Sequence, residues 1–438
     1  MRDILPKGTM RLDRRRFASL LAGALGGSAL PLRNLTATTP VRADPCHLPP
    51  ALASLTPMKD GVVPIGEDER RARMEKARRL MAAKGLGALL LEPGTSMTYY
   101  TGMRWGLSER PFVAVLPAKG ELAFVCPGFE EARARERIKF TDDVRVWQED
   151  ESPYRVIAGI LRDRGVTTGR VGVEERLRFF IMDGVRQVAP ALQLVSGDGI
   201  SAGCRMLKSP AELALMQRAN DITMAAFRTS FSLLREGMTQ YDLQEIQQDA
   251  LVQLGGEDPW VLVGFGAASA FPHGTAQPQK LREGDIVLMD SGCAVEDYQA
   301  DITKTTVFGR PTPRQTEIWN LERQAQDAAF AAAQVGATCG SVDDAARKVI
   351  IDAGFGPGYR VPGLPHRTGH GIGMDGHEWT NFVKGNATHI EPGMCFSDEP
   401  MIAIYGEFGI RLEDCLYITE QGPRFFSPQS PAIDRPFS

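Results

Sequence analysis

Two aspartates, one histidine and two glutamates stand at spacings that suit a pair of hard cations. Asp290 closes the apolar run 286–289, and Asp301 follows eleven residues later. A buried strand that ends in a carboxylate, turns and returns with a second carboxylate aims both at one point. His370 in HRTGHGIG, Glu399 in FSDEP and Glu413 in GIRLED complete the set. Oxygen-rich donors of this kind suit two divalent ions that share carboxylates. Two such ions, ~3.5–4 Å apart, bring the pKa of a shared water down towards neutrality. Asp301 and Glu413 are expected to bridge, Asp290 to serve one ion, and His370 with Glu399 the other. Glu399 is also the expected proton shuttle to a leaving amine. Taken singly, each carboxylate reads as a solvated surface residue and GHGIG as a turn. The five together, each near a strand, do not.

Four of the six histidines fall in this part of the chain. His366 lies four residues before His370, His377 seven after it, and His273 seventeen before Asp290. These three are candidates to polarise a carbonyl, orient substrate or steady an oxyanion. Arg411 precedes Glu413 by two and shares its face along a strand, which makes it a candidate partner for a ligand carboxylate. The competing reading of Arg411 is simple charge balance.

The elements that position these residues follow from pattern. Leu207 to Glu212 starts a helix, with Ser209 as N-cap, Pro210 at N1 and Glu212 at N3. A second helix begins after Thr239 and ends at Gly255. Strands are expected at 259–264, 285–291 and 300–308, helices at about 313–334 and 341–353, and strands at 394–404 and 408–418. The Gly-rich segment 362–376 reads as loop. Upstream, Glu67 to Lys84 forms a helix ended by Gly85. Strands at 88–91, 112–116, 121–126, 144–147 and 171–173 alternate with helices at 154–164 and 176–188, which indicates an α/β domain. The expected layout is a linker at 44–60, an α/β domain at 61–203 and the catalytic domain at 204–438. Tyr99, Tyr100 and Trp105 either edge a substrate pocket or simply pack. No GxGxxG or P-loop occurs.

The chain has 438 residues, enough for two domains, and its net charge of −4 and pI near 6.0 argue against nucleic acid as a partner. Seven cysteines, without a CxxC pair, read as buried small hydrophobes rather than disulfides or soft-metal ligands. Arg14, Arg15, Arg16 and Phe17 precede the short apolar run 18–25. That order resembles a twin-arginine export signal, with cleavage after Ala43 and a periplasmic or secreted product. The run is too short and Gly-rich to span a bilayer stably. A folded export route would allow metal loading in the cytoplasm, ahead of tighter-binding zinc or copper.

The spacings Asp290–Asp301, His370–Glu399 and Glu399–Glu413 resemble the pita-bread metallopeptidases of family M24. The preceding α/β domain, YYTG within it and the junction RMLKSPAELALMQRA are similar to those of Xaa-Pro dipeptidases (prolidases) and Xaa-Pro aminopeptidases. The resemblance covers roughly residues 66–430. It implies a creatinase-like α/β domain followed by a pita-bread α+β domain, two manganese ions (cobalt or zinc as alternatives) and a homodimer. It also implies site roles for His273, His366 and His377, and a short proline-containing peptide as substrate. Creatinases share both domains but have lost the ligands, which this chain keeps. Dipeptide-specific relatives carry an Arg shortly after the His-Glu pair. Here His377-Glu378-Trp379-Thr380 is followed by Asn381, and the nearest cation downstream is Lys384. Two other functions stay open at this level. One is a hydrolase or lyase acting on a non-peptide small molecule, and the other is a non-catalytic peptide-binding module.

Overall fold

The computed structural model describes residues 48–437. The expected export signal at 1–43 and Cys46 lie outside them. The helix Glu67–Lys84 opens with three acidic residues that favour its N-terminal dipole, and Gly85 caps its end. Six strands then form one sheet. They are β1 (Leu86–Leu91), β2 (Val113–Pro117), β3 (Ala123–Pro127), β4 (Val144–Trp147), β5 (Gly169–Val173) and β6 (Leu192–Ser196), in the order β4-β3-β2-β1-β5-β6. β1–β2 and β2–β3 are antiparallel, and the other neighbours are parallel.

Both faces of the sheet are covered at its centre, because β1, β2 and β3 are apolar and buried at nearly every position. Leu89, Leu91, Ala114 and Leu116 join a cluster with Met74, Ala77 and Met81 of the first helix. Their neighbours Ala88, Leu90, Val113 and Val115 join one with Ile157, Ile160, Ile181 and Val185 from the helices Pro153–Asp163 and Phe179–Val188. That is the period-two alternation of a strand buried on both sides. The first cluster runs on into Leu215, Met216 and Ala219 of the helix Pro210–Ser232, and into Val287 and Met289. One core therefore ties the α/β half to the remainder.

Local signals set the helix starts that follow. Ser209 accepts from the Glu212 N–H while the Glu212 side chain caps Ser209, and Thr239 with Asp242 repeats the device for Gln240–Gln253. The strands of this half are β7 (Glu257–Phe265), β8 (Ile286–Val295), β9 (Tyr298–Gln299), β10 (Ile302–Val307), β11 (Gly369–Gly371), β12 (Glu378–Phe382), β13 (Cys395–Asp398), β14 (Met401–Ile404), β15 (Phe408–Arg411), β16 (Asp414–Thr419) and β17 (Gly422–Phe425). One sheet runs β10-β8-β7, a second runs β12-β11-β13-β16-β17, and β14 pairs with β15 alone. The helices Pro313–Ala332 and Cys339–Asp352 cover a second core around Trp319, Ile402 and Ile410.

Two expectations need correction. The segment 362–376 is not all loop, since β11 lies within it and pairs with both β12 and β13. The strands expected at 394–404 and 408–418 are each broken in two. Pro400 lacks an N–H to continue the ladder, and the backbone N–H groups of Leu412 and Glu413 bond elsewhere, to Glu322 Oε1 and the Thr303 carbonyl. Of the two readings left open for Tyr99 and Tyr100, packing is the one the structure selects. The two residues are 2% and 0% exposed on a short helix, Thr95–Thr101, with the Arg73 guanidinium 4.1 Å above the Tyr99 ring. Trp105 stacks on Phe112. Among the described residues no helix is long and apolar enough to cross a membrane, and the six described cysteines are free and buried.

Candidate metal centre

The stretch from Ile286 to Val307 folds as a hairpin. Its tip is the pair Glu296-Asp297, with φ of 50° and 73°, and Val295 faces Tyr298 across it. Two consecutive positive φ values are those of a tight two-residue turn that matches strand twist. β10 returns along β8 with Thr303 opposite Asp290 and Ile302 opposite Ser291. The Ala300 carbonyl presses so closely on Gly292 that a Cβ there would sit 1.9 Å from its oxygen. The two ladders share one register, so Asp301 falls across from Gly292, two positions along β8 from Asp290, and the hairpin itself sets the spacing of eleven.

Glu399 and Glu413 come from the second hairpin, at the breaks just described. Asp398 pairs with Asp414 and Met401 with Arg411, so residues 399–400 and 412–413 face each other where the ladder parts. Released from regular pairing, Glu413 turns toward Thr303 on β10 and Glu399 toward His370 on β11. Thr303 Oγ1 donates to Glu413 Oε2 at 2.6 Å, and Ser397 Oγ donates to Glu399 Oε1 at 3.3 Å. His370 sits on β11, where the Ser397 carbonyl lies so near Gly369 that no side chain would fit. Its Nε2 is 3.5 Å from Asp301 Oδ2 and 3.3 Å from Glu399 Oε1. Its Nδ1 lies 3.1 Å from the Gly371 carbonyl, so Nδ1 carries the proton and Nε2 is free to ligate.

All five predicted ligands therefore converge. Ligand atoms within 4.8 Å of one another define the groups Asp301–His370–His377, His370–Glu399–Glu413 and Asp290–Asp301–Glu413. Burial and the charges of Glu413 and Asp290 raise the Asp301 carboxyl well above its usual range, and burial with Glu399 and Asp290 does the same to Glu413. Burial pushes Glu399 up to about 7 despite the pull of Arg411. Asp290 Oδ1 and Glu413 Oε1 are buried and have no hydrogen-bond partner. Crowded carboxylates with orphaned oxygens are costly unless cations hold them. Their oxygen-rich donor set fits divalent ions.

Arg411 lies in the site, as expected, and it is committed there. Its Nη2 donates to Asp290 Oδ2, Nε to Thr303 Oγ1 at 2.9 Å, and Nη1 to the Pro272 carbonyl at 3.0 Å. The three remaining histidines differ. His366 is held down at about 3 by burial and Arg411, so it is neutral. Its Nδ1 lies 2.7 Å from the Arg367 carbonyl and its buried Nε2 has no partner. Nε2 is thus an acceptor, and the expectation that His366 polarises a carbonyl by donation does not fit. His377 presents the reverse arrangement: Nδ1 accepts from Arg367 Nη2 at 3.3 Å, leaving Nε2–H as a donor. The rings of His370 and His377 are 4.0 Å apart. His273 is exposed and lines an adjoining cavity of about 350 Å³ with Gln240, Gln244 and Leu262.

Sequence reasoning missed Thr303, Ser397 and Arg367. Thr303 carried a signal, since it shares the period-two face of Asp301. Arg367 sits next to a named histidine, but nothing local aims it at His377.

A strand-built cluster of acidic and histidine ligands behind a separate α/β domain defines a two-domain metallopeptidase architecture, and comparison with known proteins agrees. Residues 214–420 match the model of metallopeptidase family M24, and residues 73–207 that of the creatinase/prolidase N-terminal domain. The protein named Probable dipeptidase PepE of Mycobacterium bovis is 33% identical over 80% of this chain and 92% of its own length. The Xaa-Pro dipeptidase of Lactobacillus delbrueckii subsp. lactis is 31% identical over 82% and 97%. The crystal structure of dipeptidase PepE from Mycobacterium ulcerans superposes with a TM-score of 0.78 at 29% identity, covering 85% of this chain and 99% of that one. The chain belongs to metallopeptidase family M24.

Proposed function

We propose that the protein hydrolyses the bond before proline in Xaa-Pro dipeptides, using two divalent ions, manganese foremost. The observation that carries this reading is the overlap of the ligand groups. Asp301, Glu413 and His370 each belong to two of the three groups, so the groups run together into one continuous cluster in which Asp301 and Glu413 are the shared carboxylates. Asp290 would serve one ion, and His370 with Glu399 the other. The names of the relatives support the substrate class. The ions, when bound, supply Lewis acidity and an activated water.

The chain's own groups do the rest. Glu399, at the edge of the cluster beside His370, takes a proton from the attacking water and returns it to the leaving prolyl nitrogen. His377, its Nδ1 occupied by Arg367, offers Nε2–H to the developing oxyanion. His366 offers Nε2 as an acceptor for a substrate N–H. Arg411 holds Asp290 in place from behind. Incubation of the manganese-loaded protein with equal Ala-Pro and Ala-Pro-Ala, followed by mass spectrometry, tests the reading. Loss of Ala-Pro first is expected. If neither peptide is cut while two metals stay bound, the substrate assignment falls.

The proposal extends to export and assembly. The basic-then-apolar order of residues 14–25 supports twin-arginine export to the periplasm or beyond. An exported protein whose N-terminus is not Asp44 would argue against cleavage after Ala43. A homodimer is the expected assembly, and sedimentation at micromolar concentration tests it.

A further inference from the structure

We propose that Arg367 anchors the terminal carboxylate of the substrate and so makes the site selective for dipeptides. This rests on the Xaa-Pro reading and deepens it. The base of Arg367 is rigid. Thr368 N and Oγ1 both bond Asp343 Oδ1, at 3.0 and 2.8 Å, and Asp343 pairs with Arg347 at 2.6 Å. Arg347 in turn donates to the carbonyls of Gly358, Leu364 and His366. A buried ion pair therefore clamps the backbone on both sides of Arg367, between His366 and the ligand strand β11.

From this base the guanidinium reaches the site. Nη2 meets His377 Nδ1 at 3.3 Å, and the half-buried side chain pairs with no carboxylate among the described residues. One donor of five is spent, on a neutral ring, which leaves a fork for a planar anion. Its charge is felt across the cluster, where it opposes protonation of His377 and Glu399. The other cations are unsuited. Arg411 is buried and spent on Asp290, Thr303 and Pro272. Asn381 lies opposite His370 on β12 and has no charge, and Lys384 is exposed beyond the end of that strand. A dipeptide has its carboxylate one residue from the scissile bond. A tripeptide places a neutral amide there and gains nothing from the fork.

The test compares Ala-Pro with Ala-Pro-amide on manganese-loaded parent, Arg367→Met and Arg367→Lys, with thermal melts to confirm folding. Arg367→Met is expected to raise KM for Ala-Pro by about tenfold or more, the scale of a charged hydrogen bond. Loss of the donor to His377 Nδ1 should lower kcat by a common factor on acid and amide, and kcat/KM should fall about tenfold further for Ala-Pro than for Ala-Pro-amide. Arg367→Lys should restore part of the loss, and inhibition by free proline should weaken in parallel. Equal losses on acid and amide would overturn the inference, since they would place Arg367 behind His377 only. A parent that cuts neither substrate would refute the Xaa-Pro reading itself, and the inference with it.

Discussion

Two buried charge clusters flank the segment from His370 to Glu378, and they are built on opposite plans. On one side, Arg205 and Lys208 meet Asp375 and Glu378. Lys208 Nζ lies 3.0 Å from Glu378 Oε2, Arg205 reaches both acids, and the Met374 and Asp375 N–H groups also donate to Glu378. Two buried positive charges face two negative ones, and the more exposed Arg176 adds a third cation to Asp375 at 3.1 Å. On the other side, Asp290, Asp301, Glu399 and Glu413 share one buried guanidinium, that of Arg411. Burial alone would push every carboxyl up. At Glu378 the charges of Lys208 and Arg205 outweigh burial and hold it at about 2, whereas at Asp301 and Glu413 neighbouring carboxylates add to burial. Equal desolvation thus gives opposite outcomes, and the sign of the neighbours decides which. The balanced cluster is complete as it stands and joins the last helix of the α/β half, Asp198–Arg205, to the catalytic segment. The acidic cluster is complete only with cations.

Substitutions should separate the two plans. The largest effect belongs to Glu399→Gln: kcat should fall on the order of 10³-fold, in line with loss of a general acid-base. The metal-free variant should melt higher than the metal-free parent, because a charge has left a like-charged cluster. Steady-state kinetics and calorimetry read the two quantities, and undiminished turnover would sink the proposed role. Next comes Glu378→Gln, which strands Lys208 and Arg205. A cost of about 3–5 kcal/mol is expected from breaking such buried pairs, seen as a lower melting temperature with or without metal. A neutral result would mean that the balanced cluster contributes nothing to stability. Chelation should then destabilise the parent by about 3 kcal/mol relative to protein in metal at a hundredfold its Kd. It should leave the Glu378→Gln increment unchanged.

Arg411→Lys should be milder. A lysine cannot reproduce the three contacts to Asp290, Thr303 and Pro272, and about a tenfold loss in metal affinity is expected by titration. The most graded test is pH. The folded pKa of Glu399 is raised, so in metal-free protein its contribution is lost as pH rises from the ordinary carboxylate range through about 7. The folded pKa of Glu378 is depressed. Its contribution is present above about 4.5 and is lost as pH falls towards 2. Melting temperature against pH should therefore decline above pH 4.5 only without metal, and the acid limb should flatten in Glu378→Gln. Identical profiles for the two forms would erase the distinction.

What the residue order determined by itself was local. The helix Glu67–Lys84, the capping boxes at Ser209 and Thr239, and the alternation around Asp301 all depend on neighbours within a few positions, so type and spacing suffice. The ligand set was legible only as a set: no member says more by itself than surface carboxylate or turn, but five such residues at these spacings, each near a strand, do. Tertiary structure decided the rest. Thr303 meets Glu413 across 110 positions, Arg205 meets Glu378 across 173, and Leu412 leaves its strand for Glu322 across 90. Such pairings are chosen by which buried polar groups lack partners once the core closes, and no window of neighbouring residues contains that information. Pro400 breaks its strand locally, by its missing N–H, but the break at Glu413, the strand within the Gly-rich segment, and the direction of Arg367 all belong to that second class. Each is set by a partner that only the folded chain brings near.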